Sequence, residues 1–136
     1  MKLILFLLIS SSNIAQTDIH EIDLRNSQCH DTDTNQNTFG MIQCEEVARQ
    51  EWFTEMNKYY NLLLDTLSEE TAELLVSSQE AWNEFNLKEH SFSSSMYYSD
   101  MDGTMWRVVN AQRVKDIVRT RALELKDYYD SYTFVR

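Results

Sequence analysis

Residues 44–67 read CEEVARQEWFTEMNKYYNLLLDTL. With Met41 just upstream, apolar side chains recur at Cys44, Ala48, Trp52, Met56, the adjacent pair Tyr59 and Tyr60, Leu63 and Leu67, in steps of three and four from one position to the next. That is the period of one helix face. Glu45, Glu46, Arg49, Glu51, Glu55, Lys58 and Asp65 fall to the opposite, solvent face on this pattern. A cysteine near the start of the apolar stripe suggests a long amphipathic helix stapled to whatever precedes it.

Upstream, the helix should begin near Thr38, with Asn37 or Thr38 as its cap. Gly40 near its start is tolerated at about 1 kcal/mol relative to alanine. Downstream, Ser68 can cap a second helix, with Glu69 and Glu70 in its positive first turn. That helix should run to about Glu89, with Leu74, Leu75, Ser78, Ala81, Trp82 and Phe85 as its stripe. No glycine or proline enforces a break at Leu67, so one continuous helix is an open alternative. A single helix of about 50 residues would be unusual in so small a domain, which favours a turn. The segment HSFSSSMYYSDMDG, residues 90–103, reads as the main loop. Thr104 then caps a third helix over about 105–129, with Val108, Ala111, Val114, Val118, Ala122, Leu125 and Tyr129 facing inward. Residues 130–136 read as a frayed tail. The chain has no proline and two glycines. Sandwiches and barrels draw heavily on both for their turns, so the pattern predicts an all-α fold. The expectation is a small bundle of three main amphipathic helices, an extended N-terminal arm and one disulfide.

The N-terminus, MKLILFLLISSS, has one lysine, a short apolar run and small polar residues. This is the layout of a secretory signal peptide, with cleavage expected after Ala15. The run is too short to span a bilayer, so no stable membrane insertion is expected after cleavage. An N-terminal core helix is the alternative. Two cysteines in an exported chain most often pair. A Cys29–Cys44 bridge would close a loop of about 15 residues, worth about 3 kcal/mol in the chain-entropy model. The alternative is two separate thiols in a reducing compartment. The expected organisation is a signal peptide at 1–15, an arm at 16–37 contributing Ile19, Ile22 and Leu24, and a helical domain at 38–130.

Asp31, Asp33 and Asn35 resemble the first three ligands of a calcium loop. Gln36 stands where that loop needs glycine, and Ile42 where it needs a glutamate, so an Asx-rich turn explains the segment better. The whole chain of 136 residues carries a formal charge of −10. That disfavours nucleic acid and anionic lipid, and suits either solubility or attraction to a basic protein. His20, His30 and His90 lack metal-ligand spacing. There is no nucleophile motif, and the cysteines are better used in a bridge. Neither an enzyme nor a cofactor is expected. Trp52, Trp82 and Trp106 sit at helical spacing and read as core more readily than as a binding pocket. Asn57, Gln79 and Arg121 lie beside apolar stripes and would need partners if buried. A side-chain network joining the helices is expected, with Arg121 as a ligand contact the alternative.

Several of these pieces resemble a family. Cys44 followed by Met56-Asn57-Lys58-Tyr59-Tyr60 resembles the C…LNxxY signature of the LprI-type lysozyme-inhibitor domain of bacterial envelopes. LVSSQEAWNEF at 75–85 is similar to its LxxAQxAWxxY. Gly103-Thr104 falls at its glycine turn, and RALEL at 121–125 resembles its closing RxxxL. Order and spacing agree over nearly all of 29–125. Met56, Asn57, Tyr60, Gln79, Trp82, Phe85, Gly103, Arg121 and Leu125 are the motif positions, expected to be structural. The chain departs at His90 and near Val114, where the family often has a second cysteine pair. It also departs at Asn86, in place of an arginine, and at Ser78, in place of an alanine. The resemblance implies a periplasmic or secreted binding protein that occludes a basic cell-wall hydrolase such as a lysozyme. Contacts are expected from the 90–103 loop, where Met96, Tyr97, Tyr98, Asp100 and Asp102 combine aromatic anchors with acid. The alternative is a structural or assembly module of the envelope without lysozyme inhibition. A weaker one is a metal-binding protein using the Asp31 turn.

Overall fold

Asn37 starts the central helix by accepting the Gly40 N–H on its Oδ1 at 3.0 Å. In the computed structural model, which describes residues 19–135, that helix is the second of four. They are α1 (Glu21–His30), α2 (Thr38–Thr66), α3 (Glu69–Ser95) and α4 (Met105–Phe134). A 3₁₀ turn at Asp33–Asn35 links α1 to α2, and a π turn at Met96–Asp100 ends α3. The expected signal peptide lies outside the described residues.

The core is a seam between α2 and α4, which run parallel and make most of the interhelical contacts. Glu45 meets Lys115, Trp52 meets Arg119, and Tyr59 meets Tyr129. Ala48, Trp52, Met56, Tyr59 and Leu63 face Val118, Ala122 and Leu125 across it, with Trp52 fully buried. The stripe expected from 44–67 is therefore the inner face of α2, with one exception. Glu45, assigned to the solvent face, is 5% exposed. Counting at roughly 100° per residue puts it among Ala48, Trp52, Met56 and Leu63 rather than opposite them.

The arm expected to be extended contains the helix α1, so the described residues form four helices rather than three. Its sequence has almost no apolar stripe, and Ile22 is its one buried residue. Other forces hold it. His20 Nδ1 accepts the Ile22 N–H at 3.2 Å, and Glu21 and Asp23 occupy the positive first turn. The Cys29–Cys44 disulfide ties it to α2 with a Cα separation of 5.7 Å. Arg119 binds the Asp23 carboxylate through Nε and Nη2, at 3.0 and 2.7 Å, tying it to α4. α1 runs antiparallel to both.

The loop expected at 90–103 is also largely helical. α3 continues to Ser95, because its serines are satisfied within the helix. Ser91 donates to Leu87 O at 3.0 Å and Ser93 to His90 O at 3.3 Å. α4 likewise runs past the expected end near Tyr129 to Phe134. The break after Leu67 is present, with Ser68 Oγ accepting the Thr71 N–H at 3.4 Å. Thr104 precedes α4 but makes no side-chain cap, since its own backbone is already helical.

Candidate partner-binding surface

The groups able to carry chemistry are mostly spent on the fold. His20 packs on Trp52 with ring centroids 4.4 Å apart. His30 Nε2 lies 2.6 Å from Glu45 Oε1, and Lys115 Nζ lies 2.8 Å from Glu45 Oε2. This buried cluster beside the disulfide joins α1, α2 and α4. Its signal was in the sequence, as an acid at a core register position. Among the described residues no group of three or more His, Cys, Asp or Glu is placed to hold a metal ion. The Asp31–Asn37 turn serves the chain itself. Asn35 Nδ2 donates to Cys29 O at 3.1 Å, and its backbone closes so tightly on Gly40 that a Cβ there would sit 2.5 Å from Asn35 Cα.

α3 differs from the other long helices. Its only buried side chains are Gln79 and Ser93, both polar. Gln79 Oε1 accepts from Arg121 Nε at 3.0 Å, and Gln79 Nε2 reaches Met56 Sδ at 3.6 Å. Arg121 also donates to Ser78 Oγ at 3.2 Å and Glu124 Oε2 at 3.3 Å. Of the three polar residues expected to form a network, Gln79 and Arg121 do so, but Asn57 is exposed and stands outside it. Leu75 and Trp82 pack on the core edge. The rest of the expected stripe does not: Leu74 is 68% and Phe85 51% exposed, Ala81 is exposed, and Ser78 is exposed apart from its hydrogen bond to Arg121. Arg119 and Arg121 are roughly 200° apart around α4, so α1 and α3 flank it on opposite sides.

Between α3 and α4 this leaves a groove of ≈ 540 Å³, lined by Trp82, Phe85, Tyr97, Ile117 and Arg121 among others. Arg113 crosses its rim to Glu89 at 2.7 Å, and that hydrogen bond holds the guanidinium above its ordinary pKa. The groove escaped sequence reasoning because a stripe at helical spacing looks the same whether or not another helix covers it.

The residues singled out at 96–102 form the end of the molecule where α3 turns into α4. Tyr97 stacks on Trp106, centroids 5.9 Å apart at 21°, and the Arg107 guanidinium lies 5.3 Å from the Tyr98 ring centroid. Met96 and Tyr97 are half-buried, while Tyr98, Asp100 and Asp102 are exposed. Gly103 follows with φ +102°, a conformation that a side chain would strain. Among the remaining motif positions, Met56 and Leu125 are core and Tyr60 packs against it.

Residues 29–125 match the family model described as lysozyme inhibitor LprI. The chain belongs to the LprI lysozyme-inhibitor family. LprI is an inhibitor family rather than a catalytic one. No curated protein matches the chain. Among solved structures it is similar to an uncharacterized protein from Burkholderia thailandensis, at 30% identity and a TM-score of 0.79. That match covers 85% of this chain and 56% of the Burkholderia protein, so this LprI chain spans little more than half its relative's length. No helix among the described residues is long and apolar enough to cross a membrane.

Proposed function

We propose that this chain is exported and binds a cationic cell-wall hydrolase of the lysozyme type, blocking its cleft by occlusion rather than chemistry. Membership of the LprI family carries the proposal. Charge supports it: the chain is at −10, and α3 holds six glutamates against one lysine. Such a field steers a basic partner and speeds its encounter. The contacts we assign are Met96, Tyr97, Tyr98, Asp100 and Asp102, at the tip between α3 and α4.

Titration of the mature protein against lysozyme at low and moderate salt tests this, with cell-wall lysis as the second readout. Binding should weaken as salt screens the exposed acids. No binding at about 50 µM protein in low salt, weaker than most specific pairs, would overturn it.

One observation favours an assembly module of the envelope instead. The chain has no cysteines beyond Cys29 and Cys44, so the second bridge frequent in the family is missing. A stable envelope complex recovered by pull-down, with no effect on lysozyme, would support that alternative.

A further inference from the structure

Among the described residues no element covers the groove between α3 and α4, which reaches from Trp82 to Tyr97 on α3 and its π turn and from Val109 to Glu124 on α4. Leu74, Ala81, Phe85 and Phe92 are spaced by seven, four and seven residues, one face of α3, and all four are exposed. A second, more apolar cavity of ≈ 350 Å³, lined by Leu74, Leu75 and Tyr128, continues the groove toward the start of α3. The two meet at the Ser78–Arg121 hydrogen bond.

We propose that this groove is a docking site for a cationic segment of a protein partner, which seats an apolar side chain between Phe85 and Ile117. The inference rests on the proposed preference for a basic partner and says where that partner would be held. Charge selects the occupant. The groove's own cations are occupied, Arg113 by Glu89 at 2.7 Å and Arg121 by Glu124 at 3.3 Å. Asp116 on its wall faces Lys115 at 3.4 Å, already engaged by Glu45 at 2.8 Å, and the field of Arg119, already engaged by Asp23 at 2.7 Å. The outer surface of α3 adds Glu80 and Glu84 beside Phe85. An incoming lysine or arginine therefore meets acids with spare acceptor capacity, and an apolar neighbour meets Phe85, Trp82 and Ile117. A second copy of the chain would bring another −10 to the same acidic face, which disfavours self-association.

The test uses the mature chain carrying Trp106→Phe, so that Trp82 reports on the groove while Trp52 stays shielded in the core. Two probes are titrated: lysozyme, and a synthetic amphipathic lysine–leucine peptide with its glutamate–leucine counterpart as control. Phe85→Ser is the groove variant, and its melting temperature should match the parent because the side chain is half-exposed. Tyr98→Ser is the comparison at the tip. The expected result is a shift of Trp82 fluorescence with the lysine peptide but not the glutamate peptide, and about a tenfold loss of affinity for both cationic probes in Phe85→Ser. If lysozyme fails to bind while the lysine peptide still shifts Trp82 in a Phe85-dependent way, the docking site stands and the lysozyme assignment falls. If lysozyme binds equally to the parent and to Phe85→Ser but is lost in Tyr98→Ser, the groove proposal is overturned and the lysozyme assignment survives. A concentration-dependent dimer abolished by Phe85→Ser would put a second copy in the groove and would also overturn it.

Discussion

Arg121 Nε on α4 donates to Gln79 Oε1 on α3 at 3.0 Å, and through Gln79 Nε2 the same unit reaches Met56 on α2. This hydrogen-bonded pair is the main buried link between α3 and the rest of the molecule. Replacing Arg121 by methionine removes a charged donor and leaves the Gln79 carbonyl buried without it. The expected loss is about 2 kcal/mol of unfolding free energy, measured in urea. Unchanged stability with lost partner binding would instead make Arg121 a ligand contact.

Gly40 invites a misleading substitution. Helix propensity alone predicts that Gly40→Ala stabilises by about 1 kcal/mol. A Cβ there would lie 2.5 Å from Asn35 Cα, in a residue whose side chain is held to Cys29 O and whose backbone N–H is held to Thr32 O. Gly40→Ala should therefore destabilise by about 1–3 kcal/mol, as overpacked sites do. A higher melting temperature would show that the 3₁₀ turn yields freely.

The His30–Glu45–Lys115 cluster is sheltered enough for loss of one partner to matter. Lys115→Met leaves the buried Glu45 with His30 as its remaining partner at 2.6 Å and should cost about 3 kcal/mol. Adding Glu45→Leu to the same chain should recover most of that. A double variant no better than the single would mean that the pair itself contributes net stability.

Breaking the disulfide with Cys29→Ser and Cys44→Ser should cost about 3 kcal/mol. Helical circular dichroism should survive, because the Asp23–Arg119 pair still holds α1 on α4. A full loss of helix at room temperature would make the bridge a condition of folding.

Acid should have a small, local effect at Glu46. The hydrogen bond from Arg49 holds its carboxyl below the ordinary value of 4.5. A carboxyl lowered in the folded state contributes stability above about pH 4.5, the unfolded value, and loses it as pH falls through the folded one. The pair is half-exposed and screened, so the contribution is about 0.3–0.5 kcal/mol. The gap in melting temperature between the native chain and Glu46→Gln should close between neutral pH and pH 3. A gap that widens would contradict the sign.

Local periodicity made α2 and most of α4 legible, because each buries a continuous stripe against the other. It failed on α1, whose attachments are a disulfide and ion pairs to residues such as Arg119, 96 positions away. It failed on the serine-rich end of α3, where hydroxyls bonded back to the helix look like loop composition. It also failed on the outer face of α3. Phe85 and Leu74 carry the same pattern as buried residues, and only the third dimension shows that no other described element covers them. Glu45 is the converse, a charge at a core register position whose partners come from other helices.

The polar attachment of α3 has a consequence for how the molecule opens. Lifting α3 away exposes little apolar area, because the side chains it buries are Gln79 and Ser93. Its opening free energy is then set by a few hydrogen bonds and by half-buried residues such as Leu75 and Trp82, well below that of the α2–α4 seam. Amide protons along α3 should exchange with solvent through a partial unfolding that leaves α1, α2 and α4 protected. The deepest amides, around Trp52 and Val118, should exchange only when the whole chain unfolds.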